Sequence, residues 1–147
     1  MKSDYYDTLG STDRLEFRFD SVSATKTVKK IITFTCISDH LVFYNLAFGD
    51  LKEYDRMDDL SVSNNADIEK VIATVLQSVY LFFREYPNAL LYIEGSTAET
   101  TRLDRIIISK ELNEFQEDFE IFGMIEAEAE SFTRNRPYTA FVVKVKN

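Results

Sequence analysis

The chain has 147 residues, 45% of them apolar, with only four glycines and two prolines. That excludes disordered and collagen-like classes and fits one domain burying roughly 68–70% of its unfolded surface. Its 17 basic and 25 acidic residues leave a formal charge of −8, which disfavours non-specific nucleic-acid binding but leaves room for a local basic patch. A single cysteine, Cys36, and a single histidine, His40, exclude an intramolecular disulfide and a Cys/His zinc site. Met1 to Asp7 lack the apolar stretch of a signal peptide, and no apolar run approaches bilayer-spanning length, so a cytoplasmic protein with no membrane association is expected.

Leu15 to Asp20 alternates apolar and charged residues, the pattern of a strand with one wet face. Val28 to Ile37 is rich in β-branched residues and predicts a second strand, with Cys36 as a small buried hydrophobe and Lys29-Lys30 as a solvated basic spot. The turn Ser38-Asp39-His40 leads to a third strand, Leu41 to Phe48, closed by Gly49-Asp50. Connections this short imply an antiparallel meander. Asp50 to Asn65, the most polar interior stretch, reads as a long surface loop.

A helix follows. Asn64 or Asn65 can cap it, Asp67 and Glu69 lie near its positive end, and Pro87 lies just beyond Tyr86. Ile68, Val71, Ile72, Val75, Val79, Phe82 and Phe83 recur at helical spacing, with Leu76 and Tyr80 widening the stripe. So broad an apolar surface belongs to a helix packed across a sheet. Ala89 to Ile93 is a nearly continuous apolar run, as expected for a central strand. Glu94 to Thr97 then turns into a second helix from about Ala98 to Ser109, and a short helix is expected from Glu111 to Phe115. Phe119 to Ile125 and Tyr138 to Lys146 read as closing strands. The polar connection between them has an acidic half, Glu126 to Glu130, that fits a helical turn equally well, while Arg134 and Arg136 read as solvated. The expectation is a single α+β domain over 1–147 with a mixed β-sheet in the order β-β-β-α-β-α-(α)-β-β. By fold-level analogy, that order is compatible with a ribonuclease-H-like arrangement.

Tyr44 to Asp50, Ser63 to Val71, and Gly95-Ser96-Thr97 followed by Thr101-Arg102-Leu103 together resemble one family of small bacterial proteins carrying a domain of unknown function. Phe17 to Val22 and Thr139 to Lys144 fit the same pattern, so the resemblance spans nearly the whole chain. It implies no established activity. The family pattern leads one to expect an arginine near Thr100, an aromatic at Asp104 and a glycine near Ile107 or Ile108, and this chain departs from all three.

The most informative constellation for binding is Gly95, Ser96, Thr97, Thr101, Arg102 and Arg105. A strand delivers a small-residue turn into a helix start, where free N–H groups and the helix dipole favour an anion. Arg102 and Arg105, three apart, share a helical face and lean back toward that end. The competing reading is a capping box, Ser96 with Glu99, which satisfies those N–H groups without a ligand and is the stronger of the two. A second polar set comprises Asn45, Asp50, Asn65 and Asp67. Asn and Asp commonly cap helices and close turns, whereas Asn45 within a strand needs a partner if it faces inward. Asp20, Glu69 and Glu94 are the acids that a ribonuclease-H-like metal pair would require. In a chain with 25 acids, coincidence accounts for them.

No catalytic set, metal set or cofactor loop is assigned. The leading expectation is a non-catalytic interaction or regulatory module, with another protein or a second copy as partner. It could form one half of a toxin–antitoxin or defence gene pair. The alternative is an enzyme or binding protein directed at a phosphate, nucleotide or nucleic acid through the Gly95–Thr97 turn.

Overall fold

The computed structural model of the chain describes residues 5–38, 42–52, 56–58, 68–94, 116–133, 136 and 138–146. These form nine strands and one long helix: β1 (Leu9–Gly10), β2 (Glu16–Val22), β3 (Thr27–Ser38), β4 (Phe43–Lys52), β5 (Arg56–Asp58), α1 (Ile68–Glu85), β6 (Leu90–Glu94), β7 (Phe119–Ile125), β8 (Glu128–Ser131) and β9 (Ala140–Val145). The strands make a mixed sheet in the order β1-β2-β3-β4-β6-β9-β7-β8, with β5 paired to β4. The fold is therefore α+β. The Asn64 or Asn65 cap and the helices expected between 98 and 115 lie outside the described residues.

Three elements are additions to the sequence expectation. β1 pairs with β2, and β5 forms within the stretch read as a surface loop, because β4 runs on to Lys52 before the chain folds back. β8 occupies the acidic connection, pairing antiparallel with β7 across a turn that places Glu126 at φ 57°. Glu128 to Ser131 therefore takes up a strand instead of a helical turn, its side chains mostly exposed at the sheet edge. A short charged strand at that position deters further pairing.

The chain divides into two compact units, one of Lys2–Phe34 with Ala47–Glu85, the other of Thr35–Leu46 with Tyr86–Asn147. In the first, β2 and β3 pair antiparallel with Phe17 opposite Ile32 and Phe19 opposite Lys30. Period-2 alternation puts these four side chains on one face, and α1 covers it. Phe34 stacks on Phe82 of α1 at 4.5 Å and meets Phe17 edge-on at 6.0 Å. The helical stripe is buried as expected at Val71, Val75, Leu76, Val79, Phe82 and Phe83. Thr74 and Ser78 are buried too, and their hydroxyls donate to the helix's own carbonyls at Lys70 (2.7 Å) and Val75 (2.6 Å), which removes the cost of stranding them there.

Tyr6 ties the N-terminal segment to this unit. Its N–H donates to Thr74 Oγ1 (2.9 Å), and its ring stacks on Phe19 (5.6 Å) beneath the Lys70 ammonium. The Tyr6 hydroxyl donates to the Val22 carbonyl (3.3 Å) and accepts from the Val22 N–H (3.1 Å).

In the second unit β6 is central, as its apolar run implies. It pairs in parallel with β4, Tyr44 opposite Leu91, and antiparallel with β9, Ile93 opposite Phe141. Parallel neighbours need a long crossover, and the chain between β4 and β6 contains β5 and α1. The aromatic Tyr138 is fully buried and lies flat against Gly123 of β7, where an added Cβ would come within 2.3 Å of its ring. Glycine is required there by space alone. Gly123→Ala is therefore expected to force the ring aside and cost about 2 kcal/mol of unfolding free energy, the scale of an overpacked core, as read by urea denaturation.

Candidate functional site

Of the ten residues singled out as candidates, the structure describes two. Gly95, Ser96, Thr97, Thr101, Arg102, Arg105, Asn65 and Asp67 lie outside the described residues. Asn45 is half-buried on β4 opposite Tyr92 of β6, in the second unit. Asp50, near the end of the same strand, belongs to the first unit and sits opposite Asp58 of β5.

Asp50 pairs with Lys30. Lys30 shares a face of β3 with Ile32 and Phe34, so the strand alternation that buries those two also turns its side chain inward. The ammonium meets Asp50 Oδ1 at 2.5 Å, with both side chains 2% exposed. This corrects the expectation that Lys30 is a solvated basic residue. Lys29 does point outward, and the one-residue offset separates the two.

Burying two charges costs several kcal/mol per ion, offset only by close geometry and further hydrogen bonds. The attraction is directional in one respect. A one-residue slip of either strand would turn one partner to the other face and break the pair. Both groups are closed to solvent, and the pair acts on strand register. Lys30→Met or Asp50→Leu alone is expected to cost about 3 kcal/mol or more. The double variant should recover at least half of that, as read from three denaturation curves against wild type.

Asp20 is exposed on β2, opposite Lys29. A ribonuclease-H-like metal pair would need the first long strand beside the strand that follows the helix, whereas β6 has β4 and β9 as its hydrogen-bonded neighbours. Among the described residues no group of three or more His, Cys, Asp or Glu is placed to hold a metal ion, and no helix among them is long and apolar enough to cross a membrane.

A polar cluster closes the β8 edge in the second unit. Glu130 accepts from Arg136 Nη2 (2.8 Å) and from the Tyr138 hydroxyl (3.1 Å), which itself accepts from the Thr133 N–H (3.0 Å). The Arg136 hydrogen bond foremost, then that of Tyr138, holds the Glu130 carboxyl below its ordinary value, and Glu130 in turn raises Arg136. A depressed carboxyl contributes stability above its unfolded pKa and loses it as pH falls through the folded one. Wild type should thus exceed Glu130→Gln by a small, salt-sensitive margin at pH 7, with the margin shrinking on acidification below about pH 4.3. Paired pH-dependent melting curves read both.

Among the described residues of the second unit, the exposed large apolar side chains are Ile37 and Val42, on either side of the β3–β4 connection. Thr35, Cys36 and Ile37 are exposed in succession, so the strand is wet on both faces there. Cys36 is thus a surface thiol, correcting its expected burial, because β3 extends to Ser38 beyond the stretch that the core covers. Ile37 is 55% exposed and Val42 39% exposed. Val42 also holds φ 48°, a strained conformation for a β-branched residue, while its carbonyl accepts from the Leu90 N–H (3.1 Å).

The model of a family of unknown function, DUF6934, matches residues 2–146. No curated protein and no solved structure matches the chain.

Proposed function

The chain belongs to DUF6934, a family of unknown function, and we propose that it is a non-catalytic interaction module that docks another protein at the end of the β3–β4 hairpin. The supporting observation is the exposed pair Ile37 and Val42 beside the surface thiol Cys36, with Val42 held in a strained backbone conformation. Exposed apolar side chains flanking the β3–β4 connection suit burial against a partner. The formal charge of −8 steers a partner of basic character, since complementary charge speeds encounter and rejects acidic competitors. On this reading the protein is an accessory or regulatory subunit, and one half of a toxin–antitoxin or defence gene pair is a specific form of it.

The test is affinity capture from the native host, comparing wild type with Ile37→Glu. A basic protein should be retained stoichiometrically by wild type and at least tenfold less by the variant. The variant's melting temperature should stay unchanged, as expected for a surface substitution. No stoichiometric partner, or one held equally by both, would remove the proposal.

A further inference from the structure

The β2 edge carries a second, independent inference. Glu16 turns both its N–H and its carbonyl outward, where Ser11 meets them through its Oγ (3.0 Å) and its N–H (2.8 Å). Val22 does the same toward the Tyr6 hydroxyl. With a period of two, Arg18 and Asp20 present their backbone groups to that side as well. The segment 5–11 therefore lies along the outer edge of β2, pairing as β1 with Phe17 and Arg18 and capping both ends. Between those two anchored ends its strand pairing is short. β1 is two residues long, Leu9 is 77% exposed and Val22 55% exposed, and the turn leading into β2 places Arg14 at φ 62°.

Beneath this strap the edge is self-complementary. If β2 of one molecule pairs antiparallel with β2 of another about Phe19, Arg18 of each copy falls opposite Asp20 of the other. Both residues belong to the outward-bonding set, so the ladder and the charges agree in register. Phe19, against which Tyr6 now stacks, would sit at the two-fold axis, and one self-complementary strand thus makes a closed, isologous contact.

We propose that residues 5–11 are a releasable guard over a homodimerisation edge, and that release of Tyr6 lets two copies join through antiparallel β2 strands. The guard confines pairing to molecules in which it has opened, as natural edge strands require.

Analytical ultracentrifugation of the full chain tests this, with circular dichroism confirming the fold. Tyr6→Ala should dimerise at least tenfold more tightly than wild type. Adding Arg18→Asp to that variant should weaken the dimer about tenfold, and adding Asp20→Arg to both should restore it, because the reversed charges again face each other. A folded Tyr6→Ala that stays monomeric at several hundred micromolar would overturn the proposal. So would association that ignores the charge reversals. Should Tyr6→Ala not fold, Tyr6→Phe, which removes only the hydroxyl bridging Val22, gives the same assay, and dimerisation no tighter than wild type would overturn the idea equally.

Discussion

Two opposite charges enclosed together organise the first unit. Lys30 and Asp50 keep this contact only while β3 and β4 hold their positions, and separating two charges buried this deeply is costly. Around them the packing is aromatic and tolerant: Phe17, Phe34 and Phe82 meet through broad ring faces and edges. A one-residue slip would turn Phe17 or Phe34 out of the core as well, so the packing and the ion pair select the same register. The buried hydroxyls of Thr74 and Ser78 each donate within their own helix, and Thr74 also accepts the Tyr6 N–H.

Much of the architecture was readable wherever a local period dictated it. The strands at Leu15–Asp20 and Phe119–Ile125, the helix ending before Pro87 and the central apolar strand all appear where alternation or helical spacing put them, with boundaries shifted by a residue or two. The errors are also local in origin. Lys30 carried a usable signal, because it has the same parity as Ile32 and Phe34, but a basic dipeptide reads as surface when each residue is judged by type. Cys36 misled in the opposite sense, since an apolar run shows nothing of where the strand outgrows its cover. The alternating acids of 126–130 obey no helical period and became a hairpin through pairing with β7. Tyr6 had no local signature at all, its partners lying 13, 16, 64 and 68 positions away in the chain at Phe19, Val22, Lys70 and Thr74. Of the candidate site, Asp50 alone joined a described constellation, one that supports strand order and leaves chemistry aside.

Two kinds of surface emerge with different logic. The hairpin end of the second unit offers apolar side chains to solvent, which suits recognition by a partner's side chains. The β2 edge in the first unit offers main-chain groups, which suit strand addition, and the chain already fills that role with its own N-terminal segment. On the reading proposed above, one surface supplies affinity and the other is held in reserve.

The glycines and the turns are distributed against custom. Among the described residues the left-handed backbone positions belong to Arg14, Val42 and Glu126, and no glycine has positive φ. Gly10 and Gly123 instead give room to the rings of Phe17 and Tyr138. Sequence drift in this family should therefore run opposite to the usual map. Lineages can exchange Arg14 or Glu126 for glycine or asparagine with a gain in backbone ease, while the two ring-bearing glycines stay fixed for as long as an aromatic side chain faces them.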